Sequence, residues 1–206
     1  MTGRFITLEG GDGSGKSTQL DLLVAWLEGK GRTVVVSREP GGTELGLELR
    51  DIVLHRRGEM APRAEALIYA ADRAHNIATK VRPALQRGEI VVQDRYLDSS
   101  VAYQGAGRVL GGDEVREVSL WATEGLLPDL TILLDLDEST GRQRLDDSRT
   151  QYDRLEAEQA DFHGRVRAGY LELAAAEPER FLVLDARLPI DEIAVAIRER
   201  VTTLLD

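Results

Sequence analysis

The sequence predicts a wound α/β fold built on a five-stranded parallel sheet, and three observations carry that expectation. Short apolar runs recur at wide intervals, at residues 4–9, 33–37, 90–93, 130–135 and 181–185. These runs are β-branched and nearly continuous, as suits strands covered on both faces. Helical patterns lie between them, and an alternation of strands with helices winds into one parallel sheet.

Each element has its own justification. The first strand, 4–9, leads into a glycine-rich segment and then a helix in which Leu20, Leu23, Val24 and Leu27 share one face. Gly29 and Gly31 stop that helix. The second strand ends at Ser37, the third at Asp94 and the fourth at Asp135. The fifth precedes a last helix with Ile193, Ile197, Val201 and Leu204 on one stripe. Ligands of such sheets sit outside the carboxyl ends of the strands, so Glu9, Ser37, Asp94 and Asp135 are site candidates. Neither a repeat nor a Pro/Ser-rich linker divides the chain, and residues 1–206 are expected to form a single domain.

Composition narrows the function. A net charge of −10 argues against a nucleic-acid partner, which would favour a basic surplus. No apolar run approaches the roughly 20 residues of a membrane-spanning helix. The N-terminus runs directly into a strand, leaving no room for a signal peptide, so the expected location is cytoplasmic. Cysteine is absent, which excludes disulfides, thiolate metal sites and a cysteine nucleophile.

The most informative segment is Gly10-Gly11-Asp12-Gly13-Ser14-Gly15-Lys16-Ser17, followed by Thr18. It satisfies the phosphate-loop pattern G-x-x-x-x-G-K-[ST] and sits where that motif requires, between a strand and a helix. Glycines let backbone N–H groups converge on phosphate oxygens, and the helix N-terminus adds positive potential. Lys16 is placed to reach the β- and γ-phosphates of ATP, and Ser17 to ligate Mg²⁺. None of the three lysines follows an asparagine, which argues against the base-reading segment of a GTPase.

A second acid closes the third strand. Asp94 is placed to hold the Mg²⁺ hydration shell or to accept from an acceptor phosphate, and the adjacent Arg95 forks onto a second phosphate. Two phosphate-binding devices suggest a donor nucleotide and an acceptor monophosphate.

Four stretches then resemble the thymidylate kinase family of bacterial type, within the nucleoside monophosphate kinases. They are Glu9 to Thr18, Arg38-Glu39-Pro40-Gly41-Gly42-Thr43, Tyr69-Ala70-Ala71-Asp72-Arg73, and Asp94 through Gly105. The resemblance extends from about Phe5 to the last helix. It implies γ-phosphoryl transfer from MgATP to dTMP, giving dTDP and ADP for dTTP synthesis, by a homodimer. Asp12 would face the 3′-hydroxyl of the acceptor sugar, and Arg38 and Pro40 would shape its pocket. Arg50 and Arg95 would hold its phosphate. Tyr69 would stack on thymine and Arg73 would donate to a base carbonyl. Ser100 and Gln104 would bond the base edge, and Tyr103 would crowd a 2′-hydroxyl. Arg144 would stack on adenine, with Arg187 on its second face.

The resemblance also implies a mobile lid at approximately residues 142–156 that supplies a catalytic arginine. Arg149 is assigned that role, with Arg154 as the alternative. The segment departs from the common Arg-Gly form by carrying Asp146 and Asp147, which add negative charge. Two other readings remain open: a kinase for a different monophosphate or a nucleoside, and a nucleotide-binding module that has lost catalysis.

Overall fold

The computed structural model describes residues 3–55, 58–108, 110–148 and 153–205. Five parallel strands, β1 (Arg4–Glu9), β2 (Val34–Arg38), β3 (Ile90–Asp94), β4 (Leu130–Asp135) and β5 (Phe181–Asp185), form one sheet in the order β2-β3-β1-β4-β5. β1 pairs on one side with β3, Arg4 opposite Ile90, and on the other with β4, Ile6 opposite Leu130. The chain therefore winds to one side of β1 for β2 and β3 and to the other for β4 and β5. The reversal at β1 opens the crevice into which its carboxyl end delivers the phosphate loop.

The expected sheet and its strands are present, each boundary within one residue of the sequence reading. Every residue of β1 after Arg4 is buried, and successive side chains go to opposite faces of the sheet. Ile6 and Leu8 pack with Leu20, Leu23 and Leu27 of α1 (Lys16–Gly29) and with Ile193 and Ile197 of the C-terminal helix (190–205). Phe5 packs on the opposite face with Val91, Tyr96 and Ala84. Coverage of both faces holds for the central strands but fails at the edges, where Val36 of β2 and Val183 of β5 are more than two-fifths exposed.

In chain order, α2 (Glu44–His55) and α3 (Pro62–Asn76) follow β2, and α3 continues through a π-helical turn, Ile77–Val81, into α4 (Arg82–Gln86). After β3 come α5 (Leu97–Ser100), a π-helical segment Val101–Gly107 and α6 (Gly112–Ala122). α7 (Glu138–Ser148) and α8 (Ala160–Ala176) lie between β4 and β5, and α9 (Ile190–Leu205) follows β5. π-Helical turns often mark functional positions, and the one at 101–107 carries Tyr103 and Gln104. α8 approaches that segment closely because Gly169 has no side chain: a Cβ there would lie 3.0 Å from Ala106 Cβ. This approach brings Tyr170 to the carboxyl end of β1.

Candidate active site

The phosphate loop is shaped by close backbone contacts. Gly10 has φ +133°, and a Cβ there would collide with the Leu134 carbonyl. Gly13 has φ +77°, and its Cβ would lie 2.6 Å from the Gly141 carbonyl oxygen. α1 begins after Gly15 with no side-chain cap and no acid in its first turn, so its N-terminal N–H groups are left for an anion. Lys16 is buried and donates to the carbonyls of Gly10 (3.1 Å) and Gly11 (2.9 Å). Burial and the nearby Arg95 lower its pKa. Ser17 and Thr18 are exposed on the first turn, whereas Ser14 is buried beneath the loop.

Asp94 ends β3 close to Lys16, whose charge it favours. Its Oδ1 is buried without a hydrogen-bond partner, an acceptor available to a hydrated cation. The next residue, Arg95, has φ +66°, uncommon for a residue with a side chain. Its N–H donates to the Leu8 carbonyl at 3.0 Å, and Gln93 Nε2 donates to the Arg95 carbonyl at 3.0 Å. These bonds hold the turn that sends the guanidinium back toward the loop.

Arg95 Nη2 donates to Asp12 Oδ1 at 2.6 Å, while Tyr103 donates to Asp12 Oδ2 at 3.2 Å. Burial opposes ionisation of Asp12, but Arg95 and Lys16 outweigh it and hold its pKa at about 2. Arg95 Nη1 donates to the hydroxyls of Ser99 and Tyr170, each at 3.2 Å. Both hydroxyls also bond Glu9 Oε2, at 2.6 and 2.9 Å, and the Tyr96 N–H bonds Glu9 Oε1. Glu9 is fully buried; burial and the neighbouring Asp98 raise its pKa to about 7.

A second cluster is held by buried charge. Arg73 donates to Glu39 (2.8 Å), Ser119 (3.0 Å), Ser100 (2.9 Å) and the Tyr96 carbonyl (3.3 Å). Four of its five N–H groups are thus committed. Glu39 also accepts from Asn76 and Gln93, and burial raises its pKa to about 7 against the pull of Arg73. Arg50 donates to the Pro40 carbonyl at 2.9 Å, and Arg38 to the Gly41 carbonyl at 3.3 Å. The Glu39–Pro40 peptide is cis.

A single cleft of about 640 Å³ joins these parts. Asp12, Gly13, Gly15, Lys16, Ser17, Thr18, Asp94 and Arg95 line its phosphate end, and Arg38, Pro40, Arg50, Tyr69, Arg73, Ser100, Tyr103 and Gln104 its other side. Arg144 borders the donor end, bonding the Gly13 carbonyl at 3.3 Å and the Ala186 carbonyl at 3.1 Å. Gly10 and Gly11 line a smaller adjoining cavity of about 50 Å³. Arg187 lies outside the cleft lining and pairs with Asp185 in its own turn. Arg149 falls outside the described residues. Arg154 is turned toward Glu65, which it meets at 2.7 Å, and toward the Val53 carbonyl.

Sequence reasoning assigned no role to Ser99, Tyr170, Glu39 or Glu65, and flagged Glu9 only as the end of a strand. Ser99 and Glu39 lie inside the quoted motifs, but nothing local tells that they bond the arginines. Of the other strand-end candidates, Ser37 bonds Asn76 and Asp135 is held by Arg167, so both are spent on structure.

A parallel sheet with a phosphate loop at its switch point, an acid on the neighbouring strand and a second arginine-lined pocket in the same cleft defines a P-loop kinase. Among known proteins, the sequence profile described as thymidylate kinase matches residues 8–197. A thymidylate kinase of Leifsonia xyli subsp. xyli is 74% identical over 198 residues, covering 96% of this chain and 94% of that protein. One from Clavibacter michiganensis subsp. michiganensis is 70% identical over 205 residues, covering 100% and 97%. The crystal structure of thymidylate kinase from Ehrlichia chaffeensis superposes with a TM-score of 0.79 at 28% identity, covering 97% of this chain and 98% of that one. The chain belongs to the thymidylate kinase family.

Proposed function

We propose that this protein transfers the γ-phosphoryl group of MgATP to dTMP, giving dTDP and ADP, a step that feeds dTTP synthesis. The observation that carries the proposal is the single cleft running from Lys16 and Ser17, past the Arg95–Asp12–Tyr103 cluster, to Tyr69, Arg73 and Gln104. The names of the relatives point to the same acceptor.

In this reading the loop N–H groups and Lys16 hold the donor phosphates, with Lys16 leaving its two carbonyl partners to do so. Arg95 and Arg50 bind the dTMP phosphate and align one oxygen with the γ-phosphorus. That oxygen forms the new P–O bond as the bond from the γ-phosphorus to the β–γ bridging oxygen breaks, and ADP departs. The acceptor oxygen is already ionised at neutral pH, so no general base is required and positioning dominates. Asp12 accepts from the 3′-hydroxyl, and Tyr103 beneath the sugar disfavours a 2′-hydroxyl. Tyr69 covers the thymine face, and Arg38, Pro40 and Ser100 border the pocket. Arg144 covers adenine. Arg149 is the proposed lid arginine; the inward pairing of Arg154 supports that choice over the alternative.

Ser17 and Asp94 would hold the magnesium. The unpartnered Asp94 Oδ1 and the exposed Ser17 hydroxyl suit a cation that keeps most of its water and phosphate ligands. When bound, Mg²⁺ neutralises charge on the β- and γ-phosphate oxygens. Among the described residues, no helix is long and apolar enough to cross a membrane. The reading also includes one domain, a cytoplasmic location and a homodimer, the last supported by exposed Leu67, Val118 and Trp121 on α3 and α6.

The test is ADP release from MgATP with dTMP, dUMP, UMP, CMP, AMP and GMP in turn. The proposal expects dTMP to exceed the ribonucleotides by at least about tenfold in kcat/KM, a difference of about 1.4 kcal/mol. Transfer confined to another monophosphate would overturn the assignment.

A further inference from the structure

Glu65 of α3 is completely buried and lies outside the lining of the cleft, directly behind a residue that lines it. Gln104, itself 1% exposed, donates from Nε2 to Glu65 Oε1 at 2.9 Å. Arg108 lies 3.2 Å and Arg154 2.7 Å from Glu65 Oε2. Arg108 also donates from Nε to Oε1 at 3.3 Å, so two guanidiniums compensate the carboxylate.

We propose that Glu65 is a specificity-determining residue, fixing the Gln104 amide so that its carbonyl oxygen, and not its NH₂ group, meets the base in the cleft. An ionised carboxylate only accepts hydrogen bonds, whereas an amide has one donating and one accepting end. Turning Gln104 over would set its carbonyl against the Glu65 carboxylate, acceptor facing acceptor, which a buried site penalises heavily. The Gln104 carbonyl is thus turned to the ligand before any nucleotide arrives. Thymine and uracil carry an N–H at N3 and complement that end. Cytosine presents a lone pair at N3 and is opposed by it. Discrimination of this kind can be large, because the wrong ligand leaves buried polar groups unpaired.

The inference deepens the dTMP reading and rests on it.

The experiment compares kcat/KM for dTMP and dCMP in the wild type, Glu65→Gln, Gln104→Ala and the double variant. A glutamine at position 65 can either accept or donate, so it no longer dictates the orientation of Gln104. Glu65→Gln is expected to narrow the dTMP-to-dCMP ratio by about tenfold or more, mainly through the KM values. In the Gln104→Ala background the same substitution should leave the ratio unchanged. An unchanged ratio in Glu65→Gln, whatever happens to total activity, would overturn the proposal, as would an equal narrowing without Gln104. A wild type that does not prefer dTMP would instead overturn the underlying reading. Should the variant not fold, the wild type supplies a second readout. In the nucleotide-free protein, one side-chain amide proton of Gln104 should resonate well downfield of its twin. Two nearly equal shifts would contradict the fixed orientation.

Discussion

In the proposed reading, the two ends of the cleft hold their ligands by different physical means. Around the donor phosphates the grip comes from backbone N–H groups, a helix terminus and one lysine, all within residues 10–18 of a continuous segment. At the base end Arg73, Ser100, Gln104 and Tyr69 come from separate parts of the chain, and buried carboxylates fix two of them: Glu39 holds Arg73 and Glu65 holds Gln104. Phosphate is a high-charge, nearly symmetric target, so convergent N–H groups suffice. A base edge is a directional pattern of donors and acceptors, so the groups that read it must themselves be oriented from behind. Recognition of charge can be local, whereas recognition of pattern requires tertiary structure.

The contrast predicts that damage at the two ends separates into activity and stability. Lys16→Ala should reduce kcat by about 10²–10³-fold or more. Its unfolding midpoint should stay within about 4 °C of the wild type, since among the described residues Lys16 bonds two loop carbonyls. Steady-state assays paired with thermal unfolding check this, and a near-normal kcat would break the phosphate half of the comparison.

Glu39→Ala should behave in the opposite manner. It leaves Arg73 buried without its ionic partner, a loss of about 3–5 kcal/mol, which lowers the melting temperature by about 10 °C or more. A variant that melts with the wild type while losing only turnover would erase the distinction.

A smaller, pH-dependent effect is expected at Glu9, where the two ends meet. Its pKa is raised from 4.5 to about 7, so the folded state binds its proton more tightly than the unfolded chain. The stabilisation from that proton is complete below about pH 4.5 and is lost as pH rises through about 7. Denaturant titrations between pH 5 and 7.5 should show a fall in unfolding free energy in the wild type that is diminished in Glu9→Gln. Identical slopes in the two proteins would contradict it.

How much of this was legible in the sequence follows the same division. The phosphate loop and the five strands were readable because each is a contiguous pattern with a local cause. The strand order was not, since it depends on which way each crossover turns. Nor were the exposed edges, because Val36 and Val183 sit in runs as apolar as those of the central strands. Tyr170 gave no local signal: it reaches Arg95 only because Gly169 lets α8 approach the π-helical segment. Glu65 carries no local signal of its role either: it is simply an acid in the first turn of α3. The placement of Arg187 on its own Asp185 also depends on a turn that spacing does not reveal.

The central claim is that one continuous cleft seats both nucleotides, phosphates facing each other. The most direct test is calorimetric titration with adenosine and thymidine joined 5′ to 5′ through five phosphates, with ATP and dTMP as competitors. One molecule should bind per chain, more tightly than either nucleotide alone, and either competitor should weaken it. Binding that only one of the two nucleotides opposes, or two molecules per chain, would contradict a single shared cleft.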